Sequence, residues 1–160
     1  MFDNFPDPAT TANWRDTLSH GDVVSYRFLV ADPESEAPKA RPCLVLDVET
    51  LGGRRYALLA YGTIADTPAN RGRETRVVDP VEIAAAGLSR PTRFVGARRI
   101  LVSLDHPAFA AKRSLGTPVM GRLTGSAFVA MNRVRGRIHA EADIAAEARL
   151  ERARAAEDAA

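Results

Sequence analysis

The feature that most constrains this fold is a glycine pair between two strand-like runs. Residues 43–48 form a run that is apolar except for Asp47, and residues 56–61 form a second run rich in aromatic and aliphatic side chains. Gly52-Gly53 lies between them. Glycine accepts positive φ at both central positions of a two-residue turn, so this pattern predicts a β-hairpin whose second strand covers residues 54–63. The run 43–48 lacks polar alternation, which is typical of a strand buried on both faces.

Further strand and helix signals surround the hairpin. Runs of β-branched and aromatic residues predict strands at 22–30, 74–78, 92–95 and 99–103. Asp79, Pro80 and Gly87 have the positions of a cap, a first helical residue and a terminating glycine, which predicts a short helix between them. Apolar residues then recur at mostly helical intervals and predict an amphipathic helix packed on the sheet: Val119, Leu123, Phe128, Met131, Val134 and Ile138.

The two ends differ from this central part in composition. Residues 1–20 are rich in Asp, Asn, Pro and Thr, which indicates an irregular N-terminal arm with at most a short helix near 13–18. We expect Trp14 to anchor this arm to the core, and binding of a partner is the alternative role. Residues 141–160 contain mainly Ala, Glu, Asp and Arg and predict a helical or frayed C-terminal tail. The sequence therefore predicts one domain at 21–140 that is mainly β with α additions. We expect a small closed β-barrel, although periodicity alone does not distinguish it from an open antiparallel sheet.

Net charge does not by itself indicate a nucleic-acid partner. The chain has 22 Lys and Arg against 20 Asp and Glu, a net charge of +2. The distribution is uneven, because residues 54–99 contain nine arginines and only four acids. This stretch is a candidate electropositive surface, and a merely solvated arginine-rich face is the alternative interpretation.

Several classes of site are excluded or not expected. The single cysteine, Cys43, allows neither an internal disulfide nor a cysteine-based zinc site. The histidines, His20, His106 and His139, are scattered without ligand spacing, so we expect no metal and no cofactor. Residues 1–11 have neither a basic segment nor an apolar segment of a signal peptide, and we expect a cytoplasmic protein without membrane contact.

Three segments occur in an informative order. The first segment begins with Gly21-Asp22-Val23-Val24 and continues with Ser35-Glu36 and Arg41-Pro42-Cys43-Leu44-Val45-Leu46. The second is the predicted strand that ends at Thr63. The third is Gly121-Arg122-Leu123-Thr124, which precedes the last apolar run. Together these segments resemble the PemK/MazF family of toxins from bacterial toxin-antitoxin systems. They are similar to that family's opening strand, its Arg-Pro loop and second strand, its threonine-bearing third strand, and the motif that opens its terminal helix.

The resemblance covers residues 21–140 and carries structural and functional implications. It implies an SH3-like barrel, a homodimer, and a toxin that cleaves single-stranded RNA as a metal-independent endoribonuclease until a cognate antitoxin protein inhibits it. It implies catalytic roles for Arg41 and Thr63, with Glu36 in the loop that frames the site. We expect four further residues to contact the RNA: Ser35, Lys39, Arg98 and Arg99.

These assignments agree with the chemistry of RNA cleavage without a metal. The 2'-hydroxyl attacks the adjacent phosphorus and leaves a 2',3'-cyclic phosphate and a 5'-hydroxyl, so charge accumulates on the non-bridging oxygens. The planar guanidinium of Arg41 can bridge two such oxygens, and Thr63 can donate one further hydrogen bond. Glu36 is a candidate for orienting Arg41 or for accepting the 2'-hydroxyl proton.

One departure from the family leaves the general base open. Some members carry an acidic residue in the strand after the short helix, whereas residues 93–99 here contain no carboxylate. Either the base lies elsewhere, or activity depends on Arg41 and Thr63 alone, or the chain is a catalytically inactive relative.

Two other classes of function compete with the nuclease hypothesis. One is a barrel that binds RNA or protein without cutting. The other is a gyrase inhibitor similar to the CcdB toxins, which depend on a tryptophan next to the C-terminus, whereas the only tryptophan here is Trp14.

Overall fold

The computed structural model describes residues 14–27, 39–64, 73–111 and 115–159. The elements in chain order are α1 (Trp14–Thr17), β1 (Asp22–Tyr26), β2 (Arg41–Leu51), β3 (Arg54–Thr63), β4 (Glu74–Val77), α2 (Pro80–Ala85), β5 (Thr92–Ser103), β6 (Val119–Arg122) and α3 (Gly125–Asp158). The six strands form one antiparallel sheet in the order β4-β5-β3-β2-β1-β6. The prediction of a mainly β fold with a C-terminal helix is confirmed.

The β2–β3 hairpin forms as its sequence predicts. Gly52 and Gly53 have φ angles of 58° and 78°, and Leu51 pairs with Arg54 directly across the turn. The strand β3 has its predicted bounds. The strand β2 extends beyond the run 43–48 at both ends, because β3 is long enough to pair with these additional residues.

Both faces of the sheet are covered, as the apolar run in β2 predicts. Leu44 and Leu46 belong to a first core cluster, where α3 inserts Met131 and Val134. Cys43 and Val45 belong to a second cluster on the other face, which also contains Leu18, Leu104 and the partly buried Phe109. The N-terminal segment and the chain after β5 therefore cover the face that α3 does not.

The expectation of a closed barrel was wrong. In the described part of the chain, β4 and β6 are the two edges of the sheet and do not pair with each other. The two apolar faces are buried by α3 on one side and by non-sheet segments on the other, so burial does not require the sheet to close on itself.

Other element boundaries also differ from the sequence prediction. The strand predicted at 22–30 ends at Tyr26, and the strand predicted at 74–78 ends at Val77. Residues 92–95 and 99–103 were predicted as separate strands but form the single strand β5. Val95 pairs with Tyr61 of β3 and Arg99 pairs with the preceding residue, Ala60, so residues 96–98 of β5 form a bulge. Val119 and Leu123 do not lie in the terminal helix, because β6 pairs with β1 and α3 begins only at Gly125.

The terminal helix α3 extends well beyond its packed part. It has 34 residues and runs without interruption through residue 140, while its buried side chains end at Ile138. Among the described helices, none is both long enough and apolar enough to cross a membrane. Trp14 packs on Phe109 with ring centroids 5.1 Å apart, which confirms its predicted anchoring role; residues 1–13 of the arm lie outside the described residues.

Candidate functional site

The end of the sheet that carries Arg41 and Thr63 presents a row of side chains across neighbouring strands. Cys43 pairs with Tyr61, and continuing that antiparallel register by two residues brings Arg41 of β2 opposite Thr63 of β3. Thr63 pairs with Arg93 of β5, and Arg93 pairs with Arg76 of β4. Directly opposed residues of antiparallel strands lie on the same face, so these four residues form one row, which we call the arginine row.

Arg41 and Thr63 also line one cleft. The cleft has a volume of about 340 Å³ and lies between the ends of β2 and β3, the turn that follows α2, and Met120 of β6. Its wall combines apolar side chains with polar ones, among them Leu88, Ser89 and Arg90. This volume and lining are suitable for a small charged ligand or for part of a larger one.

A close approach of backbones fixes the base of this cleft. Gly62 precedes Thr63, and a Cβ atom at this position would collide with the Pro42 carbonyl oxygen and the Phe94 ring. Any larger residue would separate β2 from β3 at the point where they bring Arg41 and Thr63 together. Gly62 is therefore needed for the geometry of the site rather than for its chemistry.

A second, smaller cleft of about 160 Å³ shares Thr63 and Thr92 with the first and adds Arg76 and Arg93. The Arg93 side chain is 9% exposed, and its Nη1 lies 3.6 Å from Oε2 of Glu74, whose side chain is 7% exposed. Arg76 Nε donates to Oε1 of the same carboxylate at 2.5 Å. Glu74 thus holds two guanidinium groups of the arginine row in place and neutralises only one of their charges.

The lining of both clefts limits the acid–base chemistry available. Within the described ranges, neither cleft is lined by a carboxylate or an imidazole. Glu74 is already engaged by Arg76 and Arg93, so it is poorly suited to accept a proton from a substrate. The described residues therefore supply electrostatic stabilisation at this site without an evident general base.

The other sequence-predicted site residues have different positions. Lys39 is exposed two residues before Arg41. Arg98 and Arg99 line neither cleft: Arg98 lies in the β5 bulge, and Arg99 pairs with Ala60, three residues or about 10 Å along β3 from Thr63. Ser35 and Glu36 lie outside the described residues.

Sequence reasoning did not assign Arg76, Arg90 or Arg93 to the site. All three lie in the arginine-rich stretch 54–99, and that stretch was the signal for an electropositive surface. Strand register selects Arg76 and Arg93 among the nine arginines, and the turn after α2 places Arg90. The composition of the stretch contains neither.

Cys43 lies on β2 two residues after Arg41 but has no part in the chemistry of the arginine row. It is fully buried, and burial raises the pKa of its thiol to about 12. The nucleophilic thiolate is thus disfavoured at neutral pH. In the part of the chain that the structure describes, no group of three or more His, Cys, Asp or Glu side chains is arranged to hold a metal ion.

Comparison with known proteins does not place the chain in a family. No protein-family model matches it, and no curated protein matches it. The resemblance to the PemK/MazF toxins remains a prediction from sequence motifs, and the functional argument depends on the geometry of the two clefts.

Proposed function

We propose that this protein is a metal-independent endoribonuclease that cleaves single-stranded RNA and acts as the toxin of a type II toxin-antitoxin system. The observation that carries the proposal is that Arg41 and Thr63, chosen from sequence motifs, line one cleft from opposed positions on β2 and β3. Arg90 lines the same cleft, and Arg76 and Arg93 line the adjoining one, so the site is suited to bind a phosphodiester.

The proposed reaction uses the substrate's own nucleophile. The RNA 2'-hydroxyl gives its proton to a base and attacks the adjacent phosphorus, and the bond from phosphorus to the 5'-oxygen of the next nucleotide breaks. That oxygen takes up a proton from solvent, so the products are a 2',3'-cyclic phosphate and a 5'-hydroxyl. Arg41 stabilises the non-bridging oxygens in the transition state, and Thr63 donates a hydrogen bond to the same phosphate. Arg76 and Arg93 attract the neighbouring phosphates of the strand.

The general base in this proposal is Glu36, the remaining carboxylate that the sequence motifs indicate. Glu36→Gln keeps the size of the side chain and removes its basicity, so the acidic limb of the pH–rate profile should disappear in this variant. A variant with an unchanged profile would leave Arg41 and Thr63 as the only catalytic groups.

The direct test is cleavage of a mixed-sequence single-stranded RNA in the presence of EDTA. Wild-type protein should yield 2',3'-cyclic phosphate ends, and a substrate with a 2'-deoxyribose at the scissile position should resist cleavage. Arg41→Ala should lose at least about 100-fold in rate, the loss typical of one oxyanion-stabilising group. Arg54→Ala is the matched control, because Arg54 is exposed at the hairpin end of β3, far from both clefts. Equal rates for wild type and Arg41→Ala would refute the proposal.

A second function is favoured by one specific observation, namely the lack of a carboxylate or imidazole in the described lining of both clefts. A domain that binds RNA or protein without cutting needs the arginine row but no base. Binding of RNA by wild-type protein with no turnover on diverse substrates would support this alternative.

The homodimer and the cognate antitoxin belong to the proposal through the sequence resemblance alone, and a cytoplasmic location fits the single cysteine of the chain. Growth arrest on expression that is absent in Arg41→Ala supports the toxin assignment, and light scattering of the purified protein reports its oligomeric state.

A further inference from the structure

A cluster of four aromatic side chains lies at the other end of the row that contains Arg41. The Phe109 ring centroid is 5.1 Å from that of Trp14 and 5.0 Å from that of Tyr26, and the His106 ring is 5.8 Å from Tyr26. We call Trp14, Tyr26, His106 and Phe109 the aromatic cluster. These residues come from α1, β1 and the segment after β5, so the cluster forms only in the folded chain.

The aromatic cluster is continuous with the arginine row through backbone pairing. Tyr26 of β1 pairs with Arg41, and on its other side Tyr26 forms a β-bridge with Phe109. One line of opposed residues therefore runs from Phe109 through Tyr26 and Arg41 to Thr63 and beyond it to the last two arginines. Aromatic rings occupy one end of this line and guanidinium groups the other.

The rings differ in what they offer to a ligand. Tyr26 is only 5% exposed and supports the cluster from below, whereas Phe109 and Trp14 are half-buried and His106 is exposed. The Ala108 amide donates to His106 Nδ1 at 3.0 Å, which holds the imidazole beside the other rings. The Arg15 guanidinium lies 4.7 Å from the Trp14 ring centroid and adds a positive charge at this end.

We infer that the aromatic cluster is a base-stacking subsite for single-stranded RNA whose backbone follows the arginine row. Single-stranded nucleic acids are bound by positive grooves that follow the phosphates and by aromatic rings on which bases stack, independent of sequence. A base at one end of a bound strand can stack on the rings while the phosphates of the following nucleotides lie along the guanidinium groups. The inference rests on the RNA substrate of the proposed function and extends it to residues outside the clefts.

The only tryptophan of the chain makes this subsite directly observable, since Trp14 touches Phe109. A 2'-O-methyl RNA oligonucleotide lacks the 2'-hydroxyl nucleophile and can be titrated into wild-type protein without being cleaved. Its binding should change the Trp14 emission more strongly than inorganic polyphosphate, which has charge for Arg15 but no bases to stack.

Two variants separate stacking from charge. Phe109→Leu keeps an apolar side chain but removes the ring, and we expect it to weaken oligonucleotide binding about tenfold. His106→Ala tests the same surface at an exposed position and should weaken binding even if Phe109→Leu lowers stability. Tyr56→Leu is the matched control, because this half-buried ring lies on the opposite face of β3 from Ala57, which belongs to the core cluster on which Trp14 and Phe109 pack.

The outcomes distinguish this inference from the proposed function. Unchanged Trp14 emission during binding, or unchanged affinity in Phe109→Leu and His106→Ala, overturns the stacking subsite even if RNA is cleaved. Binding that depends on both rings upholds the subsite even if no cleavage occurs. An emission change with polyglutamate but none with the oligonucleotide would overturn it in favour of an acidic protein partner.

Discussion

Thr63 of β3 and Arg93 of β5 are direct partners in the antiparallel sheet, and both line the smaller cleft. Arg93 is the most buried cation of the arginine row, and the Glu74 carboxylate, which also binds Arg76, holds it in place. Thr63 therefore stands between an exposed guanidinium on β2 and a fixed one on β5. A phosphate at Thr63 would meet positive charge on both sides.

We expect the Thr63 hydroxyl, and not its shape, to be required for cleavage. Thr63→Val preserves the shape and removes the donor, so the rate should fall about 10- to 100-fold, whereas Thr63→Ser should retain most of it. Single-turnover cleavage of labelled RNA measures both rates. Thr50→Val is the control, because Thr50 is exposed near the opposite end of β2. Equal loss in the Val and Ser variants would show that Thr63 acts by packing.

The ion pair between Arg93 and Glu74 should stabilise the fold at the edge of the sheet. Arg93→Met removes one cationic partner of the buried Glu74 carboxylate, and we expect a loss of about 2–4 kcal/mol in the free energy of unfolding. Combining it with Glu74→Gln should restore part of that loss, since no buried charge remains uncompensated. Urea unfolding measures both, and additive losses in the double variant would contradict the coupling.

Glu82 should be the principal cap of the long helix. Thr124 makes no side-chain capping hydrogen bond, and Glu82 Oε1 instead accepts from the Ser126 amide at 2.5 Å and from its hydroxyl at 2.8 Å. Glu82→Ala leaves these donors and the positive helix terminus without their acceptor, which should lower the free energy of unfolding by about 2 kcal/mol. Glu49→Ala, at an exposed position on β2, should change it little in the same urea titration.

Cys43 should be unreactive in the folded protein. Burial raises the pKa of its thiol to about 12, so a disulfide reagent at pH 8 should modify it only after denaturation. The folded state favours the neutral thiol. Burial of Cys43 therefore contributes to the free energy of unfolding below about pH 9, and this contribution is lost as the pH rises toward 12. Rapid modification of native protein would contradict this prediction.

His20 should make the fold less stable in mild acid. Burial is the main cause that lowers the pKa of His20, and the positive charges of Arg135 and Arg122 lower it further. The carboxylates of Asp47 and Asp22 oppose this effect but do not cancel it. The folded state thus resists protonation, so stability declines as the pH falls below about 6.5, the value for unfolded histidine. The decline between pH 7 and pH 5, measured by urea unfolding, should be smaller in His20→Asn. An equal decline would assign the effect to other groups.

Local sequence determined the parts of this fold that depend on neighbouring residues. The Gly52-Gly53 turn follows from the φ angles that glycine permits, and the short helix follows from the Asp79 carboxylate, which accepts from the amides of Val81 and Glu82. Arg41 and Thr63 were nominated as catalytic by motifs alone, and the structure places them at one cleft. Whether they catalyse a reaction stays a prediction.

Tertiary structure decided which distant residues meet. The open sheet, the short strand β6 and the β5 bulge depend on packing against α3 and on pairing with β1, which hydrophobic periodicity within one segment cannot express. The alignment of Phe109, Tyr26, Arg41 and Arg93 depends on register in four separate pairings, and a shift of one residue would turn any of these side chains to the other face. Register is set by the burial of both faces at once, and this is why the arginine row is visible only in the folded chain.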